Sequence, residues 1–348
     1  MRWPAGSEKS RVCLLLELAK QHGLDGWVLF PTHDETVALC ARHWDALAQV
    51  FRMTTPPWEI VKYTHDKRQT YRLAEEIGAP YPATWELGRV DIDRVDCTFP
   101  AIIKPAVKEK ANALTIAKAW RVEDKSALHA RYTDALRLLP ADELLVQALI
   151  PGNGGAQLSF AALASDGEVI CSLTAQRVRQ YPMDIGRAST FVETIEDRDV
   201  ESLGRRVIAR LRYTGLVEVE FKRDPQTSEP KLLDVNPRLW GWHTLGRRAG
   251  MDFSFLAWQL AQGLRCEQRE APRGVRWMWP AADIPIALRE ILGGRLRLAE
   301  YLRSFRHPVD FATLTFDDPL PAIMELPLQA AGRLGRSKPD ALRESNPQ

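Results

Sequence analysis

The sequence predicts an α/β protein: a partial N-terminal unit of parallel strands and helices, followed by an α+β region. Three observations lead to this fold class. Helical and strand patterns alternate before residue 85, as they do in β/α units. From Phe99 the chain changes to short β-rich runs around one helical stretch. Further on, a helix leads into two strands joined by the turn-rich DPQTSEP, which is typical of an antiparallel hairpin. A parallel sheet should therefore come first and an antiparallel sheet after it.

The first predicted domain, residues 1–85, begins with a helix rather than a strand. The run SRVCLLLELAKQHG has helical spacing, GWVLF is a short apolar strand, and ETVALCARHWDALAQV is a second helix. A further helix, DKRQTYRLAEEIG, starts with Asp66 as a cap for its free amides and stops at Gly78 and Pro80. The pattern predicts a small β/α unit.

The second predicted domain covers residues 86–265, with a small β-rich subdomain at about 99–160 and another subdomain at 161–265. Its predicted strands are FPAIIKPA, ALTIAKAW, ELLVQALI, AQLSFAALA and EVICSLTAQRV. One helix is predicted at about 126–139 and another at about 200–211. These runs favour an antiparallel sheet with crossing helices.

The chain ends in a predicted extension, residues 266–348, after helices that run from Gly241 to Leu264. This extension is polar and marked by prolines. Its last ~20 residues are rich in Arg, Ser and Pro, and such a composition is expected to be mobile.

Composition and charge exclude several classes of protein. The chain has 348 residues, of which 45% are hydrophobic, so it can bury two or three compact domains of ~100–200 residues each. Its 47 basic and 45 acidic residues leave a net charge of +2, which gives no general attraction to nucleic acid or to a membrane surface. No run approaches the ~18–20 apolar residues of a membrane span, and the N-terminus lacks the apolar core of a signal peptide. The charges of individual sites must therefore indicate the partners.

The cysteines argue against a disulfide framework. They are odd in number, scattered and without a C-x-x-C pair: Cys13, Cys40, Cys97, Cys171 and Cys266. This usage favours reduced thiols over disulfides or a zinc site. A cytoplasmic location is the expectation.

The hairpin around LLDVNPRLWGW carries the strongest chemical signal. Side chains on a strand repeat their direction every two residues, so Asp234 and Asn236 share a face. Glu220 ends the alternating run VEVE on the other strand, and one face can gather two carboxylates and an amide oxygen. Magnesium prefers such oxygen ligands, usually completed by phosphate and water. The alternative is a solvated hairpin with ordinary surface acids, but apolar residues flank these acids on both strands, and buried acids need a partner or a metal.

Two further cations and one apolar strand extend this hypothesis. Arg238 follows the hairpin directly and could stabilise charge on a transferring phosphoryl group, or it could bridge the hairpin to the next helix. In FPAIIKPA, Lys104 lies on an apolar strand, where a lysine is costly unless it meets an anion such as phosphate. The alternative for Lys104 is a lysine that snorkels from a strand end. The run ELLVQALIPG could offer backbone groups and apolar walls to a flat heterocycle.

Other chemistry-bearing residues are assigned structural roles. The seven histidines show no H-E-x-x-H or comparable spacing, so His33, His65 and His243 are interpreted as structural or surface residues. Trp240 and Trp242, beside the hairpin, are predicted to lie in the core or to form a substrate wall rather than to stack on nucleic acid. No Ser-His-Asp pattern with a nucleophile elbow occurs.

Taken in this order, the motifs resemble the ATP-grasp superfamily, and within it the carboxylate–amine ligases related to carbamoyl phosphate synthetase large subunits and D-aspartate ligases. The resemblance covers about Leu14 to Gly263, and D-x-N-P-R is its most specific part. It implies a pre-ATP-grasp-like N-terminal domain followed by an ATP-grasp domain. It also implies ATP and Mg²⁺ as cofactors, with Mn²⁺ as an alternative metal, small carboxylate and amine substrates, and a homo-oligomer as an open option.

The resemblance assigns the nucleotide-binding residues. Lys67 in THDKRQT looks like the first phosphate-contacting lysine of the family, and Lys104 looks like the second. The hinge that contacts adenine is matched by four consecutive residues: Gln147, Ala148, Leu149 and Ile150.

The resemblance also assigns the metal-binding and catalytic residues. The magnesium ligands are matched by Glu220, Asp234 and Asn236. Arg238 looks like the arginine that contacts the transferring phosphoryl or acyl-phosphate group. The run TAQRVRQYPMDIGRAST resembles a family segment in which Arg177 or Arg179 reaches the active site.

The chain departs from the family pattern in four places. Asp234 is found where most relatives carry Glu. The glycine-rich phosphate flap is missing, because VKEKANALTIAKAW contains no glycine. The usual ribose-binding acid is missing after the hinge, where the run GNGGAQLS contains only Asn153 and Gln157 as substitutes. The chain begins at a helix where the family's N-terminal domain begins with a strand, so either the start is truncated or the protein manages without that strand.

The reaction implied by the resemblance is ATP-dependent formation of a carbon–nitrogen bond. ATP phosphorylates the carboxylate, and the amine then attacks the acyl phosphate and releases phosphate; catalysis is mostly positioning and charge neutralisation. The rival hypothesis is a catalytically decayed ATP-grasp protein that serves as a nucleotide-binding regulator or scaffold. The departures support the rival, whereas the intact lysines, Glu220, Asn236 and Arg238 argue against it. The acid and the amine are not identified, because loops outside the motif contact them.

Overall fold

The protein is described by a computed structural model over residues 6–107, 112–152, 154–181, 188–315 and 317–334. Within these ranges the strands form a parallel pair, a four-stranded antiparallel sheet and an eight-stranded sheet. The predicted fold class is confirmed. The domain boundaries drawn from the sequence stay a prediction.

The N-terminal region contains the predicted β/α pattern. Its elements are α1 (Glu8–His22), β1 (Val28–Leu29), α2 (Asp34–Arg42), α3 (Trp44–Ala48), β2 (Arg52–Met53), α4 (Trp58–His65) and α5 (Lys67–Glu76). Strands β1 and β2 pair in parallel. Asp66 caps α5 as predicted, because its side chain accepts the backbone N–H of Arg68 at 2.9 Å. Gly78 follows α5 with φ 61°, a left-handed conformation that ends the helix.

The four-stranded sheet forms the smaller lobe of the following region. Its elements are β3 (Thr84–Glu86), β4 (Ala101–Pro105), α6 (Ala113–Ala117), β5 (Trp120–Val122), α7 (Lys125–Leu136) and β6 (Leu144–Ala148). The strand order is β3-β6-β4-β5. Its core packs α6 and α7 against the sheet through Ile103, Leu114 and Leu128.

One strand prediction in this lobe is wrong. The run ALTIAKAW was expected to be a strand, but its first five residues form α6 and only its last residue enters β5. The cause is a cap: the Asn112 side chain accepts the backbone N–H groups of Leu114 and Thr115 at 3.0 and 2.9 Å. Such a cap satisfies the free amides of a first helical turn and outweighs weak strand propensity.

The eight-stranded sheet forms the larger lobe. Its elements are β7 (Gln157–Ser165), β8 (Glu168–Tyr181), β9 (Ala188–Ile195), α8 (Arg198–Leu211), β10 (Gly215–Arg223), β11 (Pro230–Asn236), α9 (Leu245–Arg248), α10 (Phe253–Ala261), β12 (Arg269–Glu270), β13 (Arg276–Met278), α11 (Pro280–Leu292), α12 (Leu298–Arg303), β14 (Val309–Phe311) and α13 (Leu320–Leu334). The strand order is β11-β10-β7-β8-β9-β13-β14, and β12 pairs with β8.

Helices cover both faces of this sheet. On one face α8 lies so close to β7 that a Cβ atom at Gly204 would stand 2.3 Å from Cδ1 of Phe160. On the other face Trp240 and Phe253 belong to a second buried cluster, and their ring centroids lie 4.9 Å apart. Strands β7 and β10 are therefore buried on both sides, which fixes the hairpin β10–β11 in place.

The predicted C-terminal extension belongs largely to the large lobe. Strand β13 pairs with β9 and also with β14, so residues after 266 complete the sheet. Because residues 266–348 are polar in composition, the sequence patterns did not indicate these short strands. Residues 335–348, which hold most of the stretch expected to be mobile, lie outside the described residues. No helix in the described part of the chain has both the length and the apolar character needed to cross a membrane.

Candidate active site

The face of the β10–β11 hairpin carries four polar side chains. In the antiparallel register Glu218 lies opposite Asn236, and Glu220 lies opposite Asp234. The period of two places all four on the same face. Sequence reasoning identified three of them and missed Glu218, although the alternation in VEVE already placed it beside Glu220. We call these four side chains the acidic face.

One amide and one guanidinium hold the two glutamates. Nδ2 of Asn236 donates to Oε2 of Glu218 at 3.1 Å and to Oε1 of Glu220 at 2.7 Å. Nη2 of Arg177 lies 3.2 Å from Oε1 of Glu218 and 2.7 Å from Oε1 of Glu220. The Ser159 hydroxyl adds a donor to Oε1 of Glu218 at 2.9 Å. The network is buried, and every member restrains another.

The two glutamates differ in charge behaviour. Burial and the neighbouring Glu220 raise the pKa of Glu218 above its ordinary value. Burial also acts to raise the pKa of Glu220, but Arg177 and Lys118 outweigh it and hold that pKa at about 2. Burial acts to lower the pKa of Arg177, yet the two glutamates outweigh burial and raise it. Of the two glutamates, Glu220 is the one whose ionised form the neighbouring cations favour.

Both predicted lysines converge on this region. Nζ of Lys67, at the first position of α5, lies 2.5 Å from Oδ2 of Asp234. Nζ of Lys104, on β4, donates to the Tyr71 hydroxyl at 2.8 Å and to Oε1 of Gln147 at 2.7 Å. Each lysine is 6% exposed. Two buried ammonium groups at one cleft attract an anion strongly.

A cavity opens between the two lobes on the lysine side of the acidic face. We call it the nucleotide-side cavity; its walls include both lysines, the hinge and residues from the hairpin: Lys67, Lys104, Lys118, Gln147, Ala148, Leu149, Ile150, Gln157, Glu220, Lys222 and Asp234. The sequence offered Gln157 as a contact for the ribose. In the structure its Nε2 donates to Oε2 of Glu220 at 3.2 Å, so this side chain orients a carboxylate. Asn153, the other residue considered for the ribose, lies outside the described residues.

A second cavity, of about 320 Å³, opens on the other side of the acidic face. We call it the arginine-side cavity, because Arg177 and Arg238 line it together with Trp242, Trp277 and Trp279. Three residues line both cavities: Lys118, Glu220 and Asp234. The acidic face therefore stands at the boundary between the two cavities.

Arg238 makes an ion pair that the sequence did not reveal. Its Nε donates to Oδ1 of Asp34 at 2.5 Å, and its Nη2 donates to Oδ2 at 3.1 Å. Burial acts to lower the pKa of Arg238, but Asp34 and the two hairpin glutamates outweigh burial and raise it. Because Asp34 is the first residue of α2, the arginine also ties the hairpin to the N-terminal region. No local sequence signal links two residues so far apart.

Of the two arginines on β8, only Arg177 lines the cavity. Arg179 instead binds Asp283 of α11, with Nη2 2.8 Å from Oδ2, and stacks over Phe191 and Tyr301. The register of β8 against β9 shifts between these two arginines, and such a bulge re-aims the side chains that follow it. In this structure Arg179 therefore holds a helix onto the sheet, and the catalytic role expected for Arg177 or Arg179 stays a prediction.

The acidic face meets the chemical requirement for a hard cation, but the arrangement seen here is neutralised by protein groups. Over the described ranges, no three His, Cys, Asp or Glu side chains lie in an arrangement that could hold a metal ion as it stands. Lys67 forms an ion pair with Asp234, and Arg177 forms one with Glu220. The donor types nevertheless fit magnesium, and Lys67 would have to leave Asp234 for a metal to bind there.

The sequence comparisons point to ATP-grasp proteins. A family profile described as "ATP-grasp in the biosynthetic pathway with Ter operon" matches residues 141–280, which include the hinge and the whole acidic face. D-aspartate ligase of Enterococcus faecium is 21% identical over 240 residues, covering 64% of this chain and 56% of that protein. The arginine-specific carbamoyl phosphate synthase large chain of Bacillus subtilis is 24% identical over 226 residues, covering 62% of this chain and 21% of that protein. The chain thus spans only about half, or about a fifth, of these relatives.

The structural comparisons give the same fold. The biotin carboxylase domain of 2-oxoglutarate carboxylase from Hydrogenobacter thermophilus aligns with a TM-score of 0.61 at 15% identity, covering 76% of this chain and 60% of that one. L-amino acid ligase from Bacillus licheniformis aligns with a TM-score of 0.56 at 14% identity, covering 73% and 60%. The resemblance to the ATP-grasp superfamily is confirmed, and the chain has the ATP-grasp fold.

Proposed function

We propose that the protein is an ATP- and magnesium-dependent ligase that joins a carboxylate to an amine through an acyl phosphate. The observation that carries this proposal is the position of the acidic face between two cavities. Four lysines line one cavity, among them Lys67 and Lys104, and Arg177 and Arg238 line the other. A phosphoryl group that moves from a nucleotide to an acid must cross such a boundary.

The residues of the nucleotide-side cavity would bind and orient ATP. The apolar edges of Leu149 and Ile150, with their backbone groups, would receive the adenine ring. Lys104 would neutralise the phosphates, and Lys67 would turn from Asp234 to the phosphates as they arrive. Lys118, which sequence reasoning did not single out, lines both cavities and would assist, since the glycine-rich flap is absent. The relative from Hydrogenobacter thermophilus was solved with MgADP and bicarbonate, which supports a nucleotide in this fold.

Glu220, Asp234 and Asn236 would hold magnesium, which would shield the phosphate charges and orient the transferred group. Glu218, which sequence reasoning missed, would position Asn236 and Arg177 through its hydrogen bonds. The carboxylate oxygen of the substrate would attack the γ-phosphorus, and the bond to the leaving ADP would break. The amine would then attack the acyl carbon, lose a proton, and expel phosphate that carries one oxygen of the original carboxylate.

Arg177 and Arg238 would stabilise the charge that develops during these steps. A guanidinium matches phosphoryl and carboxylate oxygens with two parallel donors. Arg238 is already oriented by Asp34, so little reorganisation is needed during the reaction.

ADP release separates this proposal from a decayed, nucleotide-binding protein. The purified chain is incubated with ATP, Mg²⁺ and pooled amino acids, with and without a metal chelator. We expect sustained ADP release that needs both the pool and Mg²⁺. Binding of ATP without turnover under all these conditions would favour the regulatory or scaffold hypothesis.

A further inference from the structure

The arginine-side cavity is lined by two chemically different groups of side chains. The acidic face and the arginines form one group. Three indole rings form the other: Trp242, Trp277 and Trp279. The large sheet has the order β11-β10-β7-β8-β9-β13, so Trp277 on β13 lies several strands away from the acidic face on β10 and β11. Trp277 and Trp279 are two residues apart along β13 and its continuation, so they face the same side. A ligand that fills this cavity meets charge at one end and aromatic surface at the other.

Hydrogen bonds hold two of the three indoles in place before any ligand arrives. Nε1 of Trp277 donates to the Thr244 hydroxyl at 2.8 Å. Nε1 of Trp279 donates to Oε1 of Glu325 on α13, and the same carboxylate accepts from Thr313 at 2.8 Å. A rigid aromatic wall costs little entropy when it contacts a flat apolar group.

The charges that line the cavity disfavour a second carboxylate on the ligand. Three lining residues are cationic, and each faces an acid: Arg177 faces the hairpin glutamates, Arg238 faces Asp34, and Lys118 acts on Glu220. A monoacid can use one of these cations at the reacting end. The second charge of a dicarboxylate would lie against the indoles, where burying an unpaired charge is costly.

We propose that the arginine-side cavity takes a monocarboxylic acid with an aromatic or similarly flat apolar body. The inference rests on the proposed function and names the substrate class of the same site. The volume of about 320 Å³ lies at the low end of the ~300–1,000 Å³ typical of small-molecule sites, so the acid is about the size of one amino acid. It differs from the substrate in the name of D-aspartate ligase.

Two variants alter the cavity without changing a charged group. Trp279→Ala removes part of the aromatic wall, and Trp258→Ala is its matched control, because Trp258 is 40% exposed on α10 and is not part of that wall. Gly241 also lines the cavity, and no atom lies within 4 Å of the place where its Cβ would stand. Gly241→Leu therefore fills open space, so it tests the same point if Trp279→Ala lowers the melting temperature.

Direct binding is the decisive measurement. Calorimetry with the full chain in MgADP compares 3-phenylpropanoate, propanoate and succinate as probes. We expect 3-phenylpropanoate to bind at least tenfold more tightly than the other two, because only its phenyl ring buries a large apolar surface against the indoles. Trp279→Ala and Gly241→Leu should lose this preference, and Trp258→Ala should keep it. Equal or tighter binding of propanoate or succinate would overturn the inference.

ADP release with these three acids, L-aspartate and L-phenylalanine, and with hydroxylamine as the amine, separates the inference from the proposed function. Turnover with propanoate, succinate or L-aspartate but not with 3-phenylpropanoate or L-phenylalanine would support the proposed ligase and contradict the inference of an aromatic substrate. Selective binding of 3-phenylpropanoate without turnover of any acid would leave the cavity assignment standing and count against the ligase.

Discussion

At the scale of single residues, different cations hold the carboxylates of the acidic face, so substitutions there have separable effects. Lys67 contacts Asp234, whereas Arg177 contacts both hairpin glutamates. A substitution of one side chain at this site therefore tests the role of that side chain alone. Three such substitutions, at the acidic face and at the cations around it, are predicted as follows.

Asp234→Asn should lower turnover while the fold survives. The change keeps the volume of the side chain but removes one negative charge from the proposed metal site, and it leaves Lys67 without its ion pair. We expect a loss on the order of 10–100-fold in turnover, steepest at limiting Mg²⁺. Asp224→Asn is the control, because Asp224 forms an ion pair with Lys231 at 2.7 Å at the far end of the same hairpin. Equal turnover of the two variants at limiting Mg²⁺ would contradict the assignment.

Lys104→Ala should weaken ATP more than adenosine. Only ATP presents the phosphates that the ammonium neutralises, and a charge-assisted hydrogen bond contributes about 1.5–3 kcal/mol, so ATP should bind about tenfold more weakly or worse. Tyr71→Phe removes a hydrogen-bond partner of Lys104 but keeps the ammonium, and it should have a small effect. Binding of both nucleotides is measured by calorimetry; an equal loss for ATP and adenosine would indicate a folding defect instead.

Arg238→Ala should slow the chemical step more than it weakens ATP binding. A donor aimed at developing charge commonly contributes on the order of 10²–10³ in rate, and Arg238→Lys should recover only part of it, because lysine lacks the planar fork. Asp34→Asn breaks the same ion pair but leaves the guanidinium in the cavity. Single-turnover rates of the three variants decide the role. If Asp34→Asn slows the reaction as much as Arg238→Ala, the arginine is only a tether between the hairpin and α2.

At the scale of elements, the hairpin and the strand β8 were predictable, but the bulge in β8 was not. Alternation in the sequence correctly placed Asp234 and Asn236 on one face, since the period of two belongs to the strand itself. The bulge in β8 depends on pairing with β9, a strand that the sequence patterns did not single out, so Arg177 and Arg179 could not be told apart. The misassigned ALTIAKAW shows the same limit, because a single capping residue, Asn112, decided between helix and strand.

The Arg179–Asp283 pair should be a major determinant of how α11 attaches to the sheet. Asp283 is fully buried and also accepts from the Thr190 hydroxyl at 2.7 Å. Arg179→Met would leave this carboxylate without its cation, and breaking a buried pair commonly costs about 3–5 kcal/mol. Urea unfolding measures the change. Arg212→Met is the control: Arg212 forms an exposed pair with Asp166, and its loss should change stability little. Similar stabilities for the two variants would contradict the role of the Arg179 pair.

At the scale of the whole molecule, the cleft arises where the four-stranded sheet faces the β10–β11 hairpin. Its residues come from distant stretches of the chain, among them α5, β4, the end of β6 and the hairpin. Motif order allowed most of these to be predicted. Asp34 and the tryptophan wall were not predicted as parts of one site, because only the folded chain brings α2, β11 and β13 together.

The central claim is that the carboxylate of the acid attacks the phosphoryl group of ATP, and oxygen transfer tests it most directly. The acid that gives the fastest ADP release is prepared with ¹⁸O in its carboxyl group and incubated with the protein, ATP, Mg²⁺ and the amine. Because the acyl phosphate breaks between the acyl carbon and the bridging oxygen, each released phosphate should carry one ¹⁸O from the acid. Phosphate without ¹⁸O, released in step with ADP, would mean that water attacks ATP and would contradict the proposed ligase.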